Sequence, residues 1–313
     1  MADISAKIVM ELRAMTGAGM MDCKKALTAV EGDIDKAVDF LREKGLSAAA
    51  KKQSRIAAEG VVAASLSEDL KIGALVEVNC ETDFVAKTPE YVELANGIAK
   101  IIVTANPKDL DDLLTKPSEQ AGETVEQLVT SKVAKIGEKI TVRRYERYEL
   151  SGCGIVDSYI HMGGKVGVLV EAHAETEKGA QSEEFKEFVH DVALQIAASS
   201  PEYVHRAEVR ADHLEHEKEI FAAKAKNDGK PENIIARMVD GMVSKFYKEV
   251  CLLEQVFVKN PDQTIEKLAE EKGKAIGEKI SIARFARYKM GDGLEKKVND
   301  LAAEVAEQTG MNK

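Results

Sequence analysis

The first part of the chain repeats apolar and polar positions with the period of a helix. Ile4, Ile8 and Leu12 recur every four residues, which places their side chains on one face of an α-helix. Two further amphipathic stretches follow; the second begins at Asp33, a good N-cap residue, and is predicted to end at Gly45. The pattern therefore predicts three short helices around a small core.

An internal duplication organises the middle of the chain. Residues 60–107 align without a gap to residues 154–201, an offset of 94, and fifteen of these 48 pairs are identical. Further on, IGEKITVRRYERY (136–148) recurs as IGEKISIARFARY (276–288), at an offset of 140. The second copy therefore carries 46 more residues than the first between its two matching parts.

Each copy has the pattern strand, strand, helix, helix, strand. Valine-rich stretches such as ALVEVNC (74–80) predict strands, whereas PEYVELANGIAKIIV (89–103) has the spacing of an amphipathic helix. This order allows a three-stranded sheet with helices on one face, and two such units side by side would form the core. The insert, roughly between His205 and Cys251, predicts a helical hairpin that turns at NDGKP (227–231).

The predicted fold class is therefore α+β and multidomain, with a duplicated core of two small antiparallel-sheet and helix subdomains. The predicted units are an N-terminal three-helix module (1–56), the first core copy (57–150), the second core copy (151–206 and 252–290), the helical hairpin (207–251) and a C-terminal helix (291–313). A hairpin that projects from a core is typically an arm for a partner or for a second copy of the chain. A purely structural hairpin is the alternative.

Composition narrows the class of partner. The 313 residues carry a net charge of -10, which disfavours nucleic acid and anionic membranes because phosphate attraction requires basic patches. The arginines at 143, 144 and 147 alternate with tyrosines, but the second copy keeps only two of the three. We therefore expect a protein partner, with no direct binding to nucleic acid or membrane.

The cysteines and the N-terminal stretch indicate a cellular compartment. Cys23, Cys80, Cys153 and Cys251 are far apart and form no CxxC pair, which suits a reducing environment. MADISAKIVMELRAM has no basic flank followed by an apolar core, so it is not typical of a secretory signal. We expect a cytoplasmic protein.

Enzyme motifs are weak in this sequence. HMGGKVG (161–167) resembles part of a phosphate loop but has Val166 where Ser or Thr would hold magnesium. His213 and His216 share a helix face, yet a charged, solvated face explains them better than a zinc site. The chain has no GxSxG or HExxH motif. The sequence therefore predicts no catalytic residue, no metal ion and no cofactor.

The stretch ETDFVAK (81–87) places a phenylalanine in a turn between a strand and a helix. In the duplication, Phe84 corresponds to Lys178, so the same backbone accepts a lysine at this position. The fold therefore does not require an aromatic residue there. An aromatic side chain beside a carboxylate is typical of an interface anchor, which predicts that Phe84 contacts a partner.

Two long stretches, LRAMTGAGMMDCKKAL (12–27) and VNCETDFVAKTPEY (78–91), together with the repeated IGEKI elements, resemble the bacterial type of translation elongation factor Ts. The resemblance covers the whole chain, although no contact is transferred from the segment 105–131. It implies a ubiquitin-associated-type three-helix head, a two-part α+β core, a coiled-coil arm and a C-terminal helix. It also implies a guanine-nucleotide exchange factor that binds elongation factor Tu with GDP and stabilises the nucleotide-free state.

The resemblance further implies which residues meet that partner. The stretch Thr82, Asp83, Phe84 and Val85 would intrude beside the partner's magnesium and phosphate site and dislodge the ion. The head and the second-copy turn would dock on the partner through Arg13, Met20, Met21, Lys24 and His161.

Two other classes of function remain open at this point. One is a protein-binding scaffold or chaperone-like adaptor without exchange activity. The other is a small-molecule enzyme that uses His161. Homodimerisation through the core or the hairpin is open as well.

Overall fold

The computed structural model describes residues 4–16, 18–118 and 122–295. Its helices are α1 (Ala6–Thr16), α2 (Met20–Ala29), α3 (Ile34–Lys52), α4 (Asp83–Ala86), α5 (Pro89–Ala105), α6 (Leu110–Thr115), α7 (Val125–Ile136), α8 (Glu177–Ala180), α9 (Glu183–Ser199), α10 (Ala211–Asn227), α11 (Glu232–Val250) and α12 (Ile265–Ile276). Its strands are β1 (Glu59–Leu66), β2 (Ile72–Cys80), β3 (Ile140–Glu149), β4 (Gly154–His161), β5 (Val166–His173), β6 (Val256–Phe257), β7 (Asn260–Thr264) and β8 (Ser281–Lys289). This mixture of helices and small antiparallel sheets is the predicted α+β class.

The N-terminal helices pack on one another around a small apolar cluster. Leu12 of α1 and Cys23 and Leu27 of α2 are fully buried there, with Ala37 of α3. The Asp33 side chain accepts a hydrogen bond from the backbone N–H of Lys36 and so caps α3, as the sequence predicts. Three helices are therefore present at the predicted places.

The predicted end of the third helix at Gly45 is wrong, because α3 continues to Lys52. Gly45 lies where α3 crosses α7: a Cβ at this position would be 3.6 Å from Ala134 Cβ and 3.7 Å from Thr130 Cγ2. The alanines and lysines after Gly45 are good helix formers, which allows the helix to continue. Gly45 is therefore an interior position of α3 beside α7, where a Cβ would make only ordinary van der Waals contacts.

Both core copies have the predicted order of elements. The first sheet has the antiparallel order β1-β2-β3 and the second has the order β4-β5-β8. In each copy two helices cover one face of the sheet, α5 and α7 in the first and α9 and α12 in the second. Buried side chains of these helices, such as Tyr91 and Phe185, pack against the central strand and form the two main cores.

The two sheets pack against each other through the faces that the helices do not cover. Leu75, Val62 and their copies Leu169 and Val156 are buried between the sheets. A Cβ on Gly73 would lie 2.6 Å from Val156 Cγ1, and a Cβ on its copy, Gly167, 2.4 Å from Val62 Cγ1. Side chains at these two positions would push the sheets apart, so both glycines are required by close approach.

Hydrogen bonds across this interface come in reciprocal pairs. The Val62 N–H donates to the Gly164 carbonyl at 2.8 Å, and its copy, the Val156 N–H, donates to the Leu70 carbonyl at 2.7 Å. Two cation–π contacts are paired in the same way: the Arg144 guanidinium lies 4.2 Å from the centre of the Tyr288 ring, and Arg284 lies 4.0 Å from that of Tyr148. The copies are therefore related by an approximate twofold axis between the sheets.

The insert forms a helical hairpin, as predicted. Ala225 of α10 and Ile235 of α11 are buried, and Phe246 near the base meets the edge of His213 at a centroid distance of 5.4 Å. The sequence did not predict the small β6–β7 hairpin that follows the insert. The coiled-coil and ubiquitin-associated-type descriptions, and the division into separate domains, stay predictions.

The last described residues are held by the first core copy. The fully buried carboxylate of Glu77 accepts hydrogen bonds from the Gly291 N–H at 2.8 Å, from Arg143 at 3.0 Å and from Arg144 at 2.7 Å. Residues 291–295 form a turn, and the rest of the predicted C-terminal helix (296–313) lies outside the described residues. These arginines thus make internal ion pairs in the folded chain.

Among the residues that the structure describes, no helix is both long enough and apolar enough to cross a membrane.

The hairpin makes most of its contacts within itself, so we expect the core to fold without it. Replacing residues 211–248 by a short Gly/Ser link keeps the Val250 carbonyl, which accepts hydrogen bonds from the N–H groups of Glu202 and Tyr203 at the base. The shortened chain should still melt cooperatively, with lower helix content, in a thermal scan followed by circular dichroism. Loss of the cooperative transition would show that the hairpin belongs to the core.

Candidate functional site

The predicted contact residues 82–85 lie in a turn between β2 and α5. Thr82 has extended backbone angles, and its hydroxyl oxygen accepts a hydrogen bond from the Val85 N–H at 3.3 Å. This bond caps the short helix α4, which begins at Asp83. The turn therefore has a defined conformation that the threonine sets locally.

A carboxylate from the neighbouring IGEKI element fixes this turn. Glu138 accepts hydrogen bonds from the N–H groups of Glu81 at 3.1 Å and Thr82 at 3.0 Å, and from the Thr82 hydroxyl at 2.6 Å. In return, the Glu81 carboxylate accepts a hydrogen bond from the Lys139 N–H at 2.6 Å. Hydrogen bonds to an ionised group are the stronger ones, so the turn is held tightly to the start of β3.

The second copy repeats this arrangement without the aromatic residue. Glu278 accepts hydrogen bonds from the Thr176 N–H at 3.0 Å and from the Thr176 hydroxyl, and these bonds lower the pKa of Glu278 below its usual value. The turn of the second copy carries Lys178 and Gly179, and Gly179 is buried where a Cβ would meet the Glu278 carboxylate at 2.1 Å. The two turns are thus held by equivalent glutamates, but the first carries Phe84 where the second carries Lys178.

Phe84 projects from the first turn into solvent and is 81% exposed. Asp83 beside it pairs with Lys87 at 2.5 Å, and this contact lowers the pKa of Asp83. Val85 is partly buried and packs against the core of the first copy. Of the four residues, Phe84 is exposed and Asp83 pairs with Lys87 at the surface, whereas Thr82 and Val85 shape and anchor the turn; the contact of all four with a partner stays a prediction.

The turn of the second copy between β4 and β5 reaches the same edge of the molecule. Lys165 pairs with Glu59 at 2.9 Å, and Glu59 lies opposite Cys80, the last residue of β2. Lys165 also contributes, after Lys87, to the lowered pKa of Asp83. The β4–β5 turn of the second copy and the turn that carries Phe84 in the first copy are therefore neighbours.

His161 and Met162 are the exposed side chains of this second turn. Met162 is 73% exposed and has a backbone φ of 49°, an uncommon value for a residue other than glycine. The Nδ1 atom of His161 lies 3.0 Å from the Tyr159 hydroxyl. Phe84, His161 and Met162 thus give this edge an aromatic, polar and apolar surface that suits a protein partner.

The predicted docking residues of the head lie on α1 and α2. Met20 and Met21 are 46% and 64% exposed at the start of α2, and Met21 and Lys24 line one shallow depression. Arg13 is exposed in the last turn of α1. Met21 and Lys24 are thus neighbours on the surface of α2, and the role of the four head residues in docking stays a prediction.

The end of α3 connects the head to the turn that carries Phe84. Arg55 pairs with Glu81 at 3.1 Å, and the Lys139 ammonium donates to the Gln53 carbonyl at 2.6 Å and to the Arg55 carbonyl at 2.9 Å. Lys139 follows Glu138, which holds the turn. The attachment of the head and the support of the turn therefore use adjacent residues.

Sequence reasoning missed Glu138 and Met162. A signal for Glu138 was available, because IGEKI and the Glu-Thr pair both occur in each copy. Met162 corresponds to Glu68 in the first copy, and an apolar residue beside Gly163 in a turn is unusual. No group of histidine, cysteine and acidic residues suited to a metal ion occurs in the ranges that the structure describes.

Comparisons with known proteins agree on one family. Residues 81–292 match the family model described as Elongation factor TS. The chain is similar to proteins named Elongation factor Ts from Clostridium perfringens (strain SM101 / Type A), with 49% identity over 98% of this chain and 99% of the relative. It is also similar to those from Symbiobacterium thermophilum, with 49% identity over 99% and 100%, and from Trichlorobacter lovleyi, with 47% identity over 98% and 99%.

The carboxylate support of the turn gives a test by hydrogen exchange. Glu138→Ala removes the acceptor for the N–H groups of Glu81 and Thr82, so exchange at these amides should accelerate roughly 10- to 100-fold, the equivalent of about 1.5–3 kcal/mol. Glu278→Ala is the matched control and should act on the Thr176 amide instead. Unchanged protection at Thr82 in Glu138→Ala, or equal loss in both turns from either variant, would contradict this role.

Proposed function

The chain belongs to the elongation factor Ts family of translation elongation factors, and on that premise we propose that it is the guanine-nucleotide exchange factor of elongation factor Tu. The observation that carries the proposal is Phe84, 81% exposed on a turn held by Glu138. An aromatic side chain in water on a rigid turn is suited to insertion into another protein.

The proposed mechanism requires no covalent chemistry by this chain. GDP leaves a GTPase slowly when a magnesium ion bridges its phosphate and the protein. Asp83 and Phe84 enter beside this site. The Phe84 ring inserts into the partner, and the Asp83 carboxylate lies against the groups that coordinate the ion. Displacement of the ion by this turn would remove the interaction that retains GDP.

Preferential binding to the empty partner explains the direction of the effect. A protein that binds nucleotide-free elongation factor Tu more tightly than the GDP-bound form lowers the affinity for GDP by the same factor. The rigid turn serves this purpose because its conformation is fixed before binding, which reduces the entropy lost on association.

The remaining exposed residues are suited to docking. Met20, Met21, Lys24 and Arg13 on the head would bind a separate surface of the partner and supply affinity and orientation. His161 and Met162 would bind beside the magnesium site, since their turn adjoins the one that carries Phe84. The proposal therefore assigns the release of GDP to the turn that carries Phe84, and affinity and orientation mainly to the head.

The direct experiment is release of fluorescently labelled GDP from elongation factor Tu, followed by stopped flow with and without this chain. The proposed function predicts a large acceleration that saturates with the concentration of the chain. A scaffold or chaperone-like adaptor would bind without changing the release rate, and this result would overturn the proposal.

The Phe84 ring should matter for exchange and little for stability. We expect Phe84→Ala to slow catalysed GDP release on the order of 30-fold, the equivalent of roughly 2 kcal/mol for an interface anchor. The melting temperature should stay nearly unchanged, because the ring is 81% exposed. Lys178→Ala at the corresponding position of the second copy is the control and should exchange normally. A large fall in melting temperature with normal exchange would show that Phe84 serves its own domain.

The methionines of the head should affect affinity more than the limiting rate. Met20→Ala combined with Met21→Ala removes exposed apolar surface, so we expect the concentration for half-maximal exchange to rise about tenfold or more. The rate at saturation should be largely retained. Substitution is preferable to deleting the head, since deletion would uncover α7 where Gly45 packs. An unchanged half-maximal concentration would exclude the head as a docking surface.

A further inference from the structure

A line of polar side chains leads along β4 to the exposed turn at His161. Asp157, Tyr159 and His161 alternate along the strand, and alternate residues of a strand share one face. Helix α9 covers this face and contributes His190 to the line. The four side chains belong to two elements of the second copy.

Each member of the line contacts the next. The Nδ1 atom of His190 lies 3.0 Å from Asp157 Oδ2. The His190 ring meets the Tyr159 ring edge to face, with centroids 5.9 Å apart and an angle of 88° between the planes. The Tyr159 hydroxyl lies 3.0 Å from His161 Nδ1. The half-buried tyrosine also packs on the core of the second copy, so its hydroxyl has a fixed position beside an exposed histidine.

The duplication shows that the fold does not require this line. The first copy has the same strand pairing, yet Ala63, Ser65, Ser67 and Asn96 stand at the four matching positions. None of the four side chains is repeated. An arrangement that the backbone does without in one copy is a candidate for function in the other.

We propose that Tyr159 is a positioning residue that fixes the tautomer and orientation of His161. The phenol hydroxyl donates to Nδ1, which puts the proton of the neutral imidazole on Nε2. His161 then presents an N–H donor to a carbonyl or carboxylate oxygen of the partner. This inference rests on the proposed function, in which the turn of His161 meets elongation factor Tu.

The physical advantage is preorganisation. An exposed histidine has two neutral tautomers and several rotamers, and binding through one of them costs the free energy of selecting it. The hydrogen bond from Tyr159 makes that selection before the partner arrives. His190, held by Asp157, in turn limits the movement of the Tyr159 ring.

The first arm of the test uses the free chain and needs no partner. Nitrogen-15 NMR of the histidine side chains distinguishes the tautomers, and the chain has only six histidines to assign. In its neutral form His161 should carry its proton on Nε2, and Tyr159→Phe should convert it to a mixture of tautomers. A His161 spectrum that does not respond to Tyr159→Phe would overturn the inference.

The second arm measures exchange on elongation factor Tu. Tyr159→Phe should raise the half-maximal concentration of the chain roughly three- to tenfold, the usual range for one lost hydrogen bond. The substitution should have no further effect in a His161→Ala background, because the tyrosine acts through the histidine. An equal effect of Tyr159→Phe in both backgrounds, or no effect in the natural background, would contradict the proposal.

A control of the same chemistry exists at the base of the hairpin. The Tyr203 hydroxyl lies 3.0 Å from His213 Nδ1, so Tyr203→Phe should alter the His213 spectrum and leave exchange unchanged. Failure of the proposed function itself would appear separately, as an unaltered chain that does not accelerate GDP release.

Discussion

The close approach of the two sheets at Gly73 and Gly167 is the constraint on which the rest of the molecule depends. Because neither position has a side chain, Leu75 and Leu169 pack in one shared layer, and each copy hydrogen-bonds to the other. The same approach brings the β4–β5 turn of the second copy to Glu59 of the first. Two distant parts of the sequence thus form one exposed edge, and this edge carries the residues outside the head that we assign to the partner. Larger residues at the two glycines would separate the sheets and divide that edge.

The duplication separates what the fold needs from what the function needs. Glu138 and Glu278 each accept hydrogen bonds from the N–H and the hydroxyl of the turn threonine, Thr82 or Thr176, so this support is a property of the repeated backbone. The contents of the turns differ: the first presents Phe84 to solvent, and the second places a buried Gly179 against its own glutamate. On the face of β4 the second copy carries the distinctive side chains, because Tyr159 and His161 have no counterpart in the first copy. Each copy therefore contributes a different specialised element to the shared edge.

The sequence predicted the order of elements well because the repeat gave each pattern twice. Strand and helix signals agreed between the copies, the hairpin appeared as the insert of the second copy, and the exposure of Phe84 followed from Lys178 at the matching position. The sequence did not predict the contacts between distant elements. Gly45 has the local signature of a helix end, yet α3 continues through it to Lys52 and lies beside α7 at that position. The role of Glu138 required knowing that β3 begins beside the Thr82 turn, and the neighbouring positions of Lys165 and Asp83 required the packing of the two sheets.

The central claim is that GDP exchange depends on the turn at residues 82–85. The carboxylate of Glu138 holds this turn rigid, and the turn presents Phe84 to the partner. The most direct measurement compares Glu138→Ala and Glu278→Ala for GDP release from elongation factor Tu at saturating concentration, with each rate expressed per folded molecule. Each variant removes the acceptor for the N–H and hydroxyl of the turn threonine, Thr82 or Thr176, and each rate is corrected for the folded fraction. The account predicts that Glu138→Ala slows release and that Glu278→Ala does not. Equal slowing by both variants, or normal release with Glu138→Ala, would contradict it.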